Sequence, residues 1–342
     1  MRALSTIVLA SFALASCGGG GSAGSRGVVA SGSSTVYPFA QVAAEQFTQR
    51  YPDMPAPTVE SIGTGAGIAQ FCNGVGEGFP DVANASRRMK AGEFEACTKN
   101  GVTDVSEIQI GIDGIAIGES AKGPQIRLTS KQIYEALAAE PYGKPQTSKT
   151  WKDVDPSLPN ERISIYGPPS TSGTREAFVE LIMVPGCESE PAMKALKDSD
   201  KVRHKAICEH LREDGAYVDA GENDNLIVQK LEANPDTLGI FGYSYLEANP
   251  TRLRGVPVNG VEPTYASIAS FDYPGARPLF LYVKKAHVGV IPGLREYLDL
   301  FPTLWSKGGK LTAAGMIASP DDVQGKAAAT VTSLPALDPR SL

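Results

Sequence analysis

Short apolar runs alternate along this chain with stretches whose apolar residues recur at helical spacing, and this alternation constrains the fold more than any other feature. Strand-like runs separated by helical patterns are typical of α/β domains and not of all-β ones. We therefore predict an α/β fold whose strands include residues 28–30, 58–62, 81–85, 108–117, 163–166, 238–243 and 278–284.

The length of the chain favours two lobes. With 342 residues, 42% of them hydrophobic, it can form about two domains with separate cores. The glycine-broken run at 108–118 suits a strand that crosses between lobes, and a second crossing is predicted near 271–283. The tail at 330–342 is expected to be poorly ordered. The predicted first lobe comprises residues 27–111 and 275–342, and the second comprises residues 112–274.

The N-terminus has the organisation of a secretory signal over residues 1–16, with Arg2 before a short apolar stretch. Leu14-Ala15-Ser16-Cys17 looks like a bacterial lipobox, in which Cys17 is acylated and becomes the first residue. The alternative is an ordinary signal with a chance cysteine. Residues 17–26 are rich in Gly and Ser and would form a flexible tether. We expect a periplasmic or cell-surface lipoprotein anchored through Cys17.

Four further cysteines fall into two local pairs, Cys72 with Cys97 and Cys187 with Cys208. Four cysteines allow three connectivities. The long gap between the pairs favours the two local disulfides, which fit an oxidising compartment. A metal site is the alternative, because His204, Cys208 and His210 are close in sequence, but no zinc-type Cys-x-x-Cys spacing accompanies them. We expect neither a metal nor a cofactor.

The formal net charge of −6 argues against a nucleic-acid partner, because no broad positive field is available. An anionic ligand would need a local site. Three segments have a composition suited to one, since each places hydroxyl residues and glycine directly before an apolar helical pattern. These segments are residues 31–38, 63–68 and 170–175.

Such segments can bind an oxyanion for a physical reason. The first turn of a helix has N–H groups without helical partners and the positive end of the helix dipole. Glycine allows close approach, Ser and Thr add donors, and Arg175 adds a planar guanidinium that can hold two oxygens. Any one segment could be an ordinary helix cap. Three together indicate an oxyanion site.

Six motifs, in matching order across most of the chain, resemble the PstS-type phosphate-binding component of ABC importers, in the periplasmic-binding-protein superfamily. The resemblance implies a type II-like fold with two lobes, two crossing hinge strands and one phosphate clamped between helix N-termini. The motifs are Gly32-Ser33-Ser34-Thr35-Val36-Tyr37-Pro38, Gly63-Thr64-Gly65-Ala66-Gly67-Ile68, Asp81-Val82-Ala83-Asn84-Ala85-Ser86-Arg87, Ser172-Gly173-Thr174-Arg175-Glu176, Gly221-Glu222-Asn223-Asp224-Asn225 and Leu238-Gly239-Ile240-Phe241-Gly242-Tyr243.

The resemblance also implies which residues contact phosphate. Well-known members place an Asp near residues 84–87 to accept the phosphate proton, whereas this chain resembles the branch with Arg87 there. We expect Arg87 to be a second cationic contact, with a surface ion pair as the alternative. A proton acceptor would then be Asp113 or Asp224. The remaining implied contacts are Ser34, Thr35, Val36 and Thr64 in the first lobe, and Ser172, Gly173, Thr174 and Arg175 in the second.

The expected function is high-affinity phosphate binding and delivery to the permease subunits of an ABC importer, without catalysis. We expect a monomer that meets the membrane only through its lipid anchor. One alternative keeps the fold and changes the ligand to sulfate, molybdate or another oxyanion, or makes the protein a sensor or adhesin. A less favoured alternative is a phosphatase with Ser172 as nucleophile, for which no motif supplies a base.

Overall fold

The computed structural model describes residues 26–221 and 224–342. The signal segment, Cys17 and almost all of the tether lie outside these residues, and so does the side chain of Asp224. The strands are β1 (Val29–Gly32), β2 (Thr58–Ser61), β3 (Val82–Ala85), β4 (Val105–Ser120), β5 (Ile165–Gly167), β6 (Tyr217–Asp219), β7 (Leu238–Gly242), β8 (Leu253–Gly255) and β9 (Ala276–Lys284).

Helices cover both faces of these strands. They are α1 (Tyr37–Arg50), α2 (Thr64–Phe71), α3 (Ala91–Lys99), α4 (Ser130–Leu137), α5 (Trp151–Val154), α6 (Gly173–Phe178), α7 (Val184–Glu188), α8 (Pro191–Ser199), α9 (Lys201–Cys208), α10 (Asp224–Ala233), α11 (Tyr243–Ala248), α12 (Tyr265–Ala269), α13 (Leu294–Leu304), α14 (Lys310–Ala313) and α15 (Asp321–Ser333). A π-helical turn, Val179–Met183, makes α6 and α7 continuous. Among the residues described, none of these helices combines the length and apolarity needed to cross a bilayer.

One long strand connects the two halves of the molecule. The strand order is β2-β1-β3-β9-β4-β7-β5-β6, and β8 also pairs with β4. The 16-residue β4 pairs antiparallel with β9 over its first part and with β7 and β8 over its last part. The fold is therefore the expected two-lobed α/β type, with β4 and β9 as the predicted crossing strands.

Each half of the sheet has its own hydrophobic core. One cluster, around the buried Trp151, Phe178 and Phe241, draws almost entirely on residues 112–273. Two clusters around Phe47 and Phe71 draw on the residues before and after that stretch. Burial of each such side chain contributes about 1.5–3 kcal/mol to the free energy of unfolding, so each lobe has a substantial core. The lobe boundaries given above stay a prediction.

The two predicted disulfides are present. Cys72 bonds to Cys97, and Cys187 bonds to Cys208. Cys208 is bonded to Cys187 and therefore has no free thiolate for the metal site considered as the alternative. The first bond closes a loop that contains β3 and the turn after it, and the second fastens α9 to α7.

The expectation of a poorly ordered C-terminal tail is wrong. Helix α15 continues to Ser333, and the chain beyond it lies along the first lobe. The Leu337 N–H donates to the Val105 carbonyl at 2.7 Å, and the Ser106 hydroxyl donates to the Pro335 carbonyl at 2.8 Å. Leu337 and Leu342 pack against the core around Phe71. Two leucines therefore fasten a tail whose composition suggested disorder.

The contact between α2 and β1 depends on a glycine. A Cβ on Gly67 would lie 2.3 Å from the Gly32 Cα and 2.9 Å from its N atom. No real Cβ comes so close to backbone, so α2 would have to move outward. Because α2 carries part of the candidate site at its first turn, Gly67 also fixes the position of that turn.

We predict that Gly67→Ala lowers the free energy of unfolding by about 1–3 kcal/mol, because the added methyl group overpacks the contact with Gly32. Chemical denaturation measures the change. The matched control is Gly92→Ala in α3, where no atom lies within 4 Å, and the change should stabilise the helix by about 0.5–1 kcal/mol. Equal effects of the two substitutions would contradict the role of Gly67.

Candidate functional site

The strand order brings the predicted segments to two facing edges. Strand β1 pairs in parallel with β2 and β3, so the carboxyl ends of all three lie side by side. Ser33, Gly63 and Ser86 follow these ends. In the second lobe, β5 pairs in parallel with β6 and β7, and the turn after β5 leads to Ser172 at the start of α6. Carboxyl ends of parallel strands are the usual ligand-binding edge of α/β sheets.

A cavity of about 1130 Å³ opens between the two lobes. Of the predicted phosphate contacts, Thr64, Arg87 and Arg175 line it. The segments that contain the others meet at the place where the lobes touch. There, a Cβ on Gly173 would lie 3.0 Å from the Thr35 Cα, and the Ser34 hydroxyl hydrogen-bonds to Glu176.

The first segment is organised by Ser33. Its buried Oγ accepts the N–H groups of Thr35 at 3.2 Å and Val36 at 3.3 Å, and its carbonyl accepts the Tyr37 N–H. The Val36 N–H, a predicted phosphate donor, thus already has a protein acceptor. The Ser34 hydroxyl already donates its proton to Glu176, so what this turn offers an anion is mainly the hydroxyl group of Thr35.

The second segment has the features of an anion site at the start of α2. Gly63 adopts φ 87°, which favours glycine, and no side chain caps the helix. The Thr64 Oγ1 lies 3.1 Å from the Ser86 Oγ and also accepts the Ser86 N–H. The first-turn residues Gly65 and Ala66 line the cavity. Uncapped N–H groups and the Thr64–Ser86 pair of hydroxyls therefore face the same space.

The third segment begins α6. Ser172 caps the helix, since its hydroxyl accepts the Thr174 N–H at 3.2 Å. The Arg175 guanidinium lies 4.1 Å from the centre of the Tyr217 ring and donates weakly to the Pro168 carbonyl at 3.4 Å. Stacking on Tyr217 holds the guanidinium plane, and the group has no carboxylate partner among the described residues. Its charge is therefore available to an anion in the cavity.

Arg87 forms an ion pair with Glu93 beside the cavity. It donates to both carboxylate oxygens of Glu93, at 2.7 and 2.9 Å, and this hydrogen bonding raises the pKa of Arg87 although burial acts against it. It is an ion pair, as the alternative expected. Its Nη2 nevertheless lies near α2, at 3.8 Å from the position of a Cβ on Gly65.

Of the two candidate proton acceptors, only the side chain of Asp113 is described. It lies on β4 and accepts from the Arg277 Nε at 3.0 Å. Burial raises the pKa of Asp113, and the nearby carboxylates of Glu176 and Glu180 act in the same direction, so that Arg277 offsets only part of the effect.

Sequence reasoning missed several residues that organise the site. Ser33 and Ser86 each lie within a recognised motif, so local signals existed for both. Arg277 had none. It approaches the site from β9, 242 residues after Thr35, and donates to Thr35, Asp113 and Glu180.

Several known proteins resemble this chain in sequence and in fold. The PBP superfamily domain matches residues 18–302. Protein SphX of Synechococcus elongatus is 33% identical over 276 residues, which cover 76% of this chain and 70% of that protein. The phosphate-binding protein PstS of Staphylococcus haemolyticus is 30% identical over 333 residues, covering 92% and 91%. A crystal structure of a possible phosphate binding protein from Planctomyces limnophilus covers 90% of this chain and 98% of that one, with a TM-score of 0.72 at 28% identity.

Two lobes on crossing strands, with donors facing each other across a cleft, define a two-lobed solute-binding protein. The chain belongs to the PBP superfamily and, within it, to the family of PstS-type phosphate-binding proteins. The resemblance seen in the sequence motifs is confirmed.

The contact between Gly173 and the first lobe generates a prediction. In Gly173→Ala, the added Cβ would lie 3.0 and 3.1 Å from the Thr35 Cα and N atoms, so the lobes must separate slightly. We expect phosphate to bind several-fold more weakly by isothermal titration calorimetry, without loss of thermal stability, because the added methyl group must be accommodated where the lobes meet. Gly325→Ala on α15, with no atom within 4 Å, is the control. A phosphate affinity of Gly173→Ala equal to that of the native protein would contradict a close contact between the lobes at this point.

Proposed function

We propose that this protein binds inorganic phosphate between its lobes and delivers it to the permease subunits of an ABC importer. The observation that carries the proposal is the uncapped start of α2 with the Thr64–Ser86 hydroxyl pair, which faces Arg175 across the cavity. The names of the relatives, among them the phosphate-binding protein PstS of Staphylococcus haemolyticus, support phosphate as the anion.

The donor set suits a tetrahedral oxyanion. The N–H groups of Gly65 and Ala66 and the hydroxyl of Thr64 would bind oxygens from the first lobe. Arg175 would bind from the second lobe with the bidentate geometry of a guanidinium. Ser34, Thr35, Ser172, Gly173 and Thr174 would complete the contacts where the lobes meet. Arg87, already neutralised by Glu93, would add a weaker contribution.

Selectivity for phosphate needs an acceptor for its proton. At neutral pH hydrogen phosphate carries a proton and sulfate does not, so a carboxylate at the site favours phosphate and repels sulfate. Asp113, whose pKa is raised, lies beside the site, and Asp224 remains the second candidate. Either carboxylate would allow the site to distinguish phosphate from sulfate, which Arg87 does not do.

The crossing strands would provide the hinge that transport requires. Small rotations at β4 and β9 would open and close the cleft, and the closed form would dock on the permease. Binding and release need no catalytic group, so we propose that the protein is not an enzyme. We also propose that it is a monomer. An extracytoplasmic location fits the family and the two disulfides, and acylation at Cys17 would hold the protein at a membrane.

We predict that isothermal titration calorimetry shows phosphate binding to the mature protein, with sulfate and molybdate binding at least about tenfold more weakly. Thr64→Val should weaken phosphate binding by about tenfold, because one hydroxyl donor is lost. Arg87→Ala should weaken it less, and Arg88→Ala is the matched control, since Arg88 pairs with Glu107 away from the cavity.

Three outcomes would contradict parts of this proposal. Absence of phosphate binding at millimolar concentration would exclude the function. Equal affinities for sulfate and phosphate would exclude the proton-acceptor account. Identical affinities of Arg87→Ala and the native protein would remove Arg87 from the residues that contact phosphate.

The anchor generates a separate prediction. Cys17→Ser removes the acylated thiol, so the protein should move from the membrane fraction to the soluble fraction of the expressing cells. Cys72→Ser and Cys97→Ser together, which leave Cys17 intact, are the control and should stay with the membrane. Membrane association of the Cys17→Ser protein equal to that of the native chain would rule out lipid anchoring at this residue.

A further inference from the structure

Arg277 occupies the point where the crossing strands and both lobes meet. It lies on β9 directly opposite Asp113 of β4 in the antiparallel register. Its side chain is only 5% exposed, which is unusual for arginine, since charged side chains are rarely buried without compensating partners. A guanidinium in this position has to be explained by what it contacts.

Each nitrogen of the guanidinium has a different acceptor. The Nε donates to the Asp113 Oδ2 at 3.0 Å, and the Nη1 donates to the Glu180 Oε2 at 2.6 Å. The Nη2 donates to the Thr35 Oγ1 at 2.6 Å. The three acceptors belong to the crossing strand, the second lobe and the first lobe. The planar guanidinium of arginine carries its donors on three separate nitrogens, whereas the three donors of a lysine ammonium share one nitrogen.

The contact with Thr35 determines what the threonine hydroxyl can do. A hydroxyl group has one proton to donate and two lone pairs that accept. Because an Arg277 N–H donates to the Thr35 Oγ1, that oxygen acts as acceptor toward the guanidinium, and its own proton must point elsewhere. No acceptor for this proton is found among residues 26–221 and 224–342. The Thr35 side chain is 7% exposed, and its turn lies against the start of α6.

The carboxylates fix the guanidinium in this orientation. Asp113 and Glu180 bind the Nε and Nη1 sides, so the plane cannot rotate without breaking one of two charge-assisted hydrogen bonds. The Nη2 is thereby held toward Thr35. Both the donor and its direction are set before any ligand arrives, which is what preorganisation of a binding group requires.

We propose that Arg277 is a positioning residue for anion binding, which keeps the Thr35 hydroxyl proton directed at the ligand. The inference rests on the proposed function, because Thr35 is a donor only if the cleft binds an oxyanion. Arg277 itself need not contact that anion. Its effect on affinity passes through Thr35, and this distinguishes it from an arginine that merely stabilises the fold or adds positive charge to the cleft.

A double-mutant cycle with phosphate as the probe tests the proposal. Arg277→Lys, Thr35→Val and the double variant are compared with the native protein by calorimetry. Each single change should weaken phosphate binding by about tenfold, since each removes one oriented donor. The double variant should bind about as weakly as Thr35→Val alone. Thr35→Ser, which keeps a hydroxyl, should bind phosphate more tightly than Thr35→Val.

Two further variants test whether a loss of phosphate affinity has a cause other than the positioning of Thr35. Arg252→Lys changes an arginine that pairs with Glu232 on the surface, and it should leave phosphate affinity unchanged. Glu180→Gln loosens the guanidinium without removing it, and the Glu180 side chain is 46% exposed, so the protein should fold even if Arg277→Lys does not. Its loss of affinity should be several-fold in the native background and absent in Thr35→Val.

The outcomes separate the two proposals. Native protein that binds phosphate, with losses from Arg277→Lys and Thr35→Val that multiply in the double variant, would overturn the positioning role alone. The same conclusion would follow if Arg277→Lys, or Glu180→Gln where the lysine variant does not fold, bound phosphate as tightly as the native protein. Native protein that fails to bind phosphate would overturn the proposed function, and the role of Arg277 with it.

Discussion

The antiparallel pairing of β4 with β9 is the constraint on which the rest of the structure depends. Because β4 is a member of both halves of the sheet, its pairing with β9 and β7 fixes how the strands of the second lobe lie relative to those of the first. The pairing places Asp113 opposite Arg277 beneath the cleft. The candidate site is therefore held by the same β4–β9 ladder that would act as the hinge in the proposed closure of the lobes.

Much of the fold could be predicted because its information is local. Apolar runs marked β1 to β5, β7 and β9 within a few residues, and the spacing of cysteines favoured the correct disulfides. Strands β6 and β8 were missed because three residues carry too little pattern to distinguish a strand from a loop. The ordered tail was missed for a different reason. Leu337 and Leu342 pack against a core most of whose other members lie more than two hundred residues away, and composition does not record that contact.

The candidate site, like the fold, could be predicted from the sequence only in part. Glycine and hydroxyl residues before helices were visible in the sequence, and the structure places Thr64, Arg87 and Arg175 around one cavity. What sequence could not show is which donors are already used. The Val36 N–H is bound by Ser33, and Arg87 by Glu93, through short-range contacts that several side chains could have made. Arg277 reaches Thr35 only because β9 returns to the first lobe, so no local pattern could have identified it.

The disulfide between Cys72 and Cys97 affects when the protein becomes able to bind its ligand. The loop that it closes contains Ser86 and Arg87, so one wall of the cleft is braced by a cross-link that forms only under oxidising conditions. A newly made chain in a reducing cytosol lacks this brace. Its binding wall would be looser there, and the precursor would capture less anion before it leaves the cell. Covalent chemistry would thus delay ligand capture until the chain has reached the compartment in which the ligand is collected.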